Sequence, residues 1–214
     1  MKHCLALIAL LLSCIVPAAA QNSESPDAEA AYLKTIQERA DKIVATLELS
    51  DGAQKTRVRD LIAQQYRDLR AIHDPRDAAI KAAKTKFADD KKASAEAVEA
   101  VQAKARNQLA ELHTNFLAKL SHELTPAQVD QVKDGLTYGV VQVTYNAYMK
   151  MYPDLSAEQK NQIRSWLVEA REIAMDQGSS REKHAVFGKY KGRINNYLSK
   201  AGYDLKKGEA NLRK

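Results

Sequence analysis

Apolar residues return every three or four positions along most of the chain from Ala28 to Ala201, the repeat of one face of an α-helix. A chain patterned in this way folds by laying helices against one another. Helix one is expected over Ala28–Glu48, with Leu33, Ile36, Ala40, Ile43 and Leu47 on one stripe. Leu49-Ser-Asp-Gly52 is a turn with Ser50 or Asp51 as the next N-cap. Helix two runs over Ala53–His73 and turns Val58, Leu61, Ile62, Gln65, Tyr66, Leu69 and Ile72 to one side. Asp74-Pro75 should interrupt it, because the residue before a proline avoids the helical region.

A long third helix is expected over Arg76–Ser121. Its first half is rich in Ala and Lys, and the large apolar positions lapse between Asp89 and Ser94, where a break would make the region a hairpin. Leu124-Thr-Pro-Ala-Gln128 is a helix start, with Thr125 as N-cap and Pro126 at the first helical position. Residues 136–145 are rich in β-branched side chains, with Gly135 and Gly139 close by, so the fourth helix is expected to be kinked or locally extended near Gly139. Ser156 and Gln159 have capping-box spacing. The fifth helix turns Ile163, Trp166, Leu167, Ala170 and Ile173 inward and closes at Gly178, a residue suited to the C′ position. Ser179 or Ser180 caps the sixth, which points Val186, Phe187, Tyr190, Ile194, Tyr197, Leu198 and Ala201 one way and ends at Gly202. The expected fold is all-α: an antiparallel bundle of about six helices with a long helical arm.

Helices two and five echo each other without a gap. Gln54, Lys55, Val58, Arg59 and Ile62 fall on Gln159, Lys160, Ile163, Arg164 and Leu167, and each set follows a Leu-Ser. Duplication of a helix pair explains this; so does the shared grammar of any capped amphipathic helix.

Residues 1–20 have the layout of an export signal: Lys2, an apolar Leu5–Val16 too short to span a bilayer, and Pro17-Ala-Ala-Ala20 as a small-residue site. Cleavage after Ala20 is expected, with Leu11-Leu-Ser-Cys14 as a competing lipobox that would lipidate Cys14. Residues 21–27 then form a flexible leader, 28–203 a single helical domain and 204–214 a basic tail, in a periplasmic or secreted protein. Both cysteines, Cys4 and Cys14, lie in the signal. The mature chain would therefore have no disulfide, thiolate metal site or cysteine nucleophile. The net charge of +6 is interleaved with acidic residues, which describes solvated helix faces rather than a nucleic-acid surface. No later segment reads as a membrane span.

The histidines stand singly, without metal-ligand spacing, and no cofactor motif is present. Neither a nucleophile elbow nor a glycine-rich phosphate loop occurs. Glu169, Glu172 and Asp176 share a helical face, an arrangement more often met as solvation than as catalysis. The expectation is a protein that binds rather than catalyses.

Most of the tyrosines and the single tryptophan fall between Tyr138 and Tyr203. Trp166, Tyr190 and Tyr197 are in the apolar phase and read as packing. Tyr138, Tyr145, Tyr148, His184, Lys191, Arg193, Asn195 and Asn196 remain as ligand-binding candidates, with rings for sugar C–H faces and polar groups for hydroxyls.

Two family resemblances bear on this expectation. Lys133-Asp-Gly-Leu-Thr-Tyr-Gly139, Trp166–Met175 and Lys183–Lys206 resemble the DUF3826 family of exported bacterial proteins, over nearly all of the mature chain. That resemblance implies a carbohydrate ligand and brings no motif of binding residues. Leu124-Thr-Pro-Ala-Gln128 and Leu155-Ser-Ala-Glu-Gln159 are similar to the L-T-x-x-Q motif of Spy/CpxP-type periplasmic helical chaperones, with Ser for Thr in the second copy. This implies unfolded envelope proteins as the alternative partner.

Overall fold

A computed structural model describes residues 25–212. The expected signal, its Cys14 and Ala20 alternatives and leader residues 21–24 lie outside that range, as do residues 213 and 214. Eight helices and no strand occur among the described residues: α1 (Pro26–Ala45), α2 (Gly52–Lys86), α3 (Lys91–Glu123), α4 (Pro126–Leu136), α5 (Val140–Met151), α6 (Ala157–Ala174), α7 (Ser180–Lys200) and α8 (Leu205–Leu212).

Local side chains set most of the starts. Asp51 accepts from the Ala53 N–H at 2.8 Å and Asp90 from Ala93 at 2.9 Å. Thr125 with Gln128 and Ser156 with Gln159 each form a reciprocal capping box. Ser179 caps α7 by accepting from Glu182 at 3.2 Å. Caps of this kind contribute about 1 kcal/mol each. Ser25 caps α1 ahead of Pro26, so residues 26 and 27 belong to the helix rather than to a leader.

Several expectations are corrected. Pro75 lies inside α2 and does not interrupt it. Ala71, whose carbonyl loses its helical partner, and Pro75 are both exposed, so water can take up that acceptor. The chain reverses at residues 87–90, at the early edge of the expected break, so there is no single helix from Arg76 to Ser121. Instead α2 and α3 pair as a hairpin. None of residues 74–104 is fully buried, so the distal part of this hairpin is a two-helix arm. Ile173 is 44% exposed, facing away from the core. The basic tail is helical as α8: Asp204 Oδ1 accepts from the Lys207 N–H at 3.1 Å, and Gly208 allows close approach to the Tyr152 ring, where a Cβ would lie 2.7 Å from ring carbons.

Two cores follow one another along the chain. The first gathers Ala40, Ile43, Val58, Ile62, Phe116, Leu120, Val132 and Leu136 from α1–α4. The second gathers Val141, Tyr148, Ile163, Leu167, Phe187, Ile194 and Leu198 from α5–α7. Within the first, α1 packs on α2 and α4, and α2 on α3; within the second, α5 packs on α6 and α8, and α6 on α7. These three pairings follow the same order in both halves, and α3 additionally touches α4. Val58 and Ile62 of α2 and their echoes Ile163 and Leu167 of α6 are all fully buried, each pair in its own core. The sequence echo thus coincides with a repeated topology.

Polar groups join the halves. Arg171, buried on α6, holds Asp130 at 2.6 Å and Asp134 at 2.9 Å on α4. Lys133 reaches Glu172 at 2.9 Å, Arg76 reaches Glu182 at 3.1 Å, and Met175 inserts into the first core. His113 Nδ1 donates to Asp176 Oδ2 at 2.8 Å, tying α3 to the end of α6.

Candidate functional site

The α4–α5 connection is the least relaxed piece of backbone in the site. The Gly139 N–H donates to the Asp134 carbonyl at 2.8 Å and the Tyr138 N–H to the Gly135 carbonyl at 3.3 Å. These two bonds make a Schellman closure, in which the residue at Tyr138 must be left-handed. Glycine is usual there; here a tyrosine takes φ +61°. An L-residue with a Cβ gives up about 1 kcal/mol in that conformation. The turn turns the Tyr138 ring out of the bundle, 45% exposed, where it stacks on His184 with centroids 5.7 Å apart.

That ring forms part of a cleft between the halves. Tyr32 and Arg39 come from α1; Tyr66, Leu69, Arg70 and His73 from α2; Gln177–Ser180 from the α6–α7 loop; and Lys183 from α7. The cleft encloses about 350 Å³. It shares Arg39, Tyr66 and Tyr138 with a neighbouring depression of about 520 Å³, floored by Ile43 and Gly135 and edged by Lys42, Gln131 and Asp134. Volumes of a few hundred Å³ are those of small-ligand sites. A further hollow between α1 and α2, at Asp41, Glu48, Lys55 and Arg59, has no aromatic lining.

Lys183 is the most unusual lining residue. It falls in phase with Phe187 and Ile194 on the buried stripe of α7 and is only 4% exposed. Its ammonium donates to the Leu136 carbonyl at 2.8 Å and lies 5.6 Å from the Tyr66 ring centre and 5.9 Å from that of Tyr138. Burial, reinforced by the Arg39 charge and only partly opposed by that of Asp176, pushes its pKa down to about 8. Burial likewise pushes the Tyr66 phenol up to about 12, so it stays a neutral hydroxyl. Neither the Tyr66 nor the Tyr138 hydroxyl has a hydrogen-bond partner among the described residues. Tyr32 is committed instead: its hydroxyl donates to the Tyr66 carbonyl at 3.0 Å, and the Arg70 guanidinium covers its ring at 4.2 Å.

The loop behind the cleft is tightly placed. His73 Nε2 faces the Asp176 carbonyl at 2.7 Å and so carries the proton, leaving Nδ1 buried without a partner. A Cβ on Gly178 would lie 2.8 Å from the His73 ring, so glycine serves here for close approach rather than for the left-handed C′ position expected of it.

The eight residues singled out from the sequence divide among several places. Tyr138 lines the cleft, with His184 against its ring. Tyr148 is buried, and its hydroxyl donates to Asn195 Oδ1 at 2.7 Å and lies 3.3 Å from the Lys191 carbonyl; these contacts fasten α5 to α7. Burial drives that phenol well above its ordinary pKa. Tyr145 is half-buried, with the Arg164 guanidinium 5.7 Å from its ring. Arg193 lies 4.4 Å over Trp166 and 3.6 Å from Glu169. The Lys191 and Asn196 side chains are exposed. The carboxylates on the α6 face are likewise engaged: Glu169 by Tyr190 and Arg193, Glu172 by Lys133 and Arg171, and Asp176 by His113 through Oδ2, its Oδ1 being buried without a partner.

Sequence reasoning missed Arg39, Tyr66 and Lys183 as site residues. Tyr66 packs against the first core, as its place on the α2 stripe implies, and also lines the cleft. Two signals pointed to the cleft: a Tyr-Gly pair closing a helix at residues 138 and 139, and a lysine in phase with a buried stripe at residue 183.

Among the described residues no helix is long and apolar enough to cross a membrane, and no cluster of His, Asp or Glu is arranged to hold a metal. No curated protein matches the chain. The sequence profile of DUF3826, described as a protein of unknown function, matches residues 33–214, and the chain belongs to that family.

Proposed function

We propose that this protein is a non-enzymatic carbohydrate-binding protein acting outside the cytoplasm, and that its ligand lies in the cleft between Tyr66 and Tyr138. The carrying observation is the left-handed backbone at Tyr138, which holds an aromatic ring at the mouth of the cleft at a cost in stability. Sugar rings present C–H faces to aromatic rings and hydroxyls to polar groups. The cleft offers two tyrosine rings whose hydroxyls have no protein partner among the described residues, together with the amide oxygen of Gln177, whose Nε2 donates to the Ile173 carbonyl. Export is proposed from the signal-like residues 1–20. The absence of catalysis is proposed because the α6 carboxylates are held in ion pairs and hydrogen bonds.

A chaperone role is the second reading. It is favoured by the hairpin arm, where Ile80, Phe87, Val98 and Val101 are only half-buried. Glycan-array screening of the mature protein, followed by calorimetry, separates the two. Saccharide binding that is lost in Tyr66→Ala supports the cleft. Silence on every glycan, with suppression of client aggregation, would replace it with the chaperone.

A further inference from the structure

The charges around the cleft do not balance locally. Asp74 is held by Arg70 at 3.2 Å and Asp134 by Arg171 at 2.9 Å, while Asp176 accepts from His113 through Oδ2. Asp176 keeps a buried Oδ1 without a hydrogen-bond partner, and its charge favours the protonated Lys183, but among the described residues no carboxylate lies within ion-pair distance of that ammonium. The cations Arg39, Lys42 and Lys183 form no ion pair among the described residues. Arg39 has only the face of Tyr66, at 5.9 Å. Lys183 has one carbonyl and two tyrosine faces for an ammonium with three donors. A buried cation without an ion-pair partner is an expensive feature, and replacement by an apolar side chain of similar size is commonly neutral or stabilising. Folding alone therefore gives little reason for a lysine at this position. A ligand that brings the missing negative charge gives one.

We propose that the ligand of this cleft is an acidic saccharide, carrying a carboxylate or sulfate group that docks against Lys183 with Arg39 at the rim. The proposal rests on the carbohydrate reading above and adds the chemical class. A neutral sugar would leave the Lys183 charge buried and uncompensated. An anion would return the ammonium to a charged pair, held between the Tyr66 and Tyr138 rings. Two kinds of group satisfy this chemistry, the uronate carboxylate and the sulfate ester.

The test uses the mature protein and matched uronate-bearing, sulfated and neutral oligosaccharides on one array. The best acidic binder is then titrated by calorimetry. The expected result is binding to acidic members with little or none to their neutral counterparts; the uronate and sulfate arms identify the group. Lys183→Met should weaken that binding at least tenfold while the far-ultraviolet circular dichroism stays native. Arg39→Gln, at an exposed position, should weaken it less and serves if Lys183→Met does not fold. Lys189→Gln, on an exposed part of α7, should leave it unchanged. Affinity for the acid should fall about tenfold between pH 7 and pH 9, as Lys183 loses its proton in the empty cleft. Tyr66 titrates well above that window. Preference for neutral sugars would overturn the acidic assignment and keep the carbohydrate reading. Silence on every glycan would overturn both. Equal weakening by Lys189→Gln would reduce the effect to general charge attraction and overturn the role of Lys183.

Discussion

Replacing Tyr138 with alanine and with glycine separates the ring from the backbone that carries it. Both variants remove the stack on His184 and the contact with the Lys183 ammonium, so those losses cancel in the comparison. What differs is φ +61°. Alanine keeps the left-handed penalty of about 1–2 kcal/mol, whereas glycine is relieved of it. Glycine also gains about 0.4–1 kcal/mol of freedom in the unfolded chain, which works against it. The balance makes Tyr138→Gly more stable than Tyr138→Ala by about 0.5–1 kcal/mol, or roughly 1–4 °C in Tm for a chain of this size. Urea unfolding followed by far-ultraviolet circular dichroism gives both midpoints. An alanine variant equal to or more stable than the glycine variant would mean that residue 138 is not strained, and the argument from stored strain to function would fail.

Other perturbations follow from the same geometry. Lys183→Met should raise stability at pH 7 by about 1–2 kcal/mol: a pKa pushed from 10.5 to about 8 corresponds to about 3 kcal/mol, less the hydrogen bond lost at the Leu136 carbonyl. Because the folded pKa is the lower one, the wild-type protein gains this stability as pH rises from about 8 toward 10.5, and urea midpoints across that window should rise in the wild type and stay flat in the variant. His113 behaves in the opposite sense, since its hydrogen bond to Asp176 raises its pKa above the ordinary 6.5. Its contribution is complete below that value and is lost as pH rises through the folded pKa, so His113→Gln should flatten the stability profile just above pH 6.5. Pro75→Ala should stabilise the protein by about 1–2 kcal/mol in chemical denaturation, restoring a helical hydrogen bond to the Ala71 carbonyl against a small gain in unfolded-state freedom.

Features set by neighbours in sequence were legible and those set by distant packing were not. Thr125 with Gln128 and Ser156 with Gln159 mark helix starts because each bond closes within three residues. The proline rule at Asp74-Pro75 failed because an exposed carbonyl can turn to water while α2 continues against α3. An irregularity near Gly139 was legible from its two glycines, but the chain divides there into α4 and α5 instead of kinking one helix, and the left-handed tyrosine before Gly139 was not legible. Helical phase placed Phe187 and Ile194 correctly in the core. It could not show that the Tyr148 hydroxyl would meet Asn195 across the α5–α7 contact, which turned two proposed ligand groups into a structural pair. Nor could it bring Arg39 and Tyr66 of the first half beside Tyr138 and Lys183 of the second. That cleft exists only once the two similar halves are joined.

The most direct measurement is a titration of the isotope-labelled protein, residues 21–214, with an acidic oligosaccharide, followed by amide chemical shifts. The account predicts shifts centred on Arg39, Tyr66, Tyr138, Gly139 and Lys183, abolished in Tyr138→Gly while the rest of the spectrum stays in place. Shifts centred instead on Tyr148, Lys191 and Asn195, with the cleft residues silent, would contradict it.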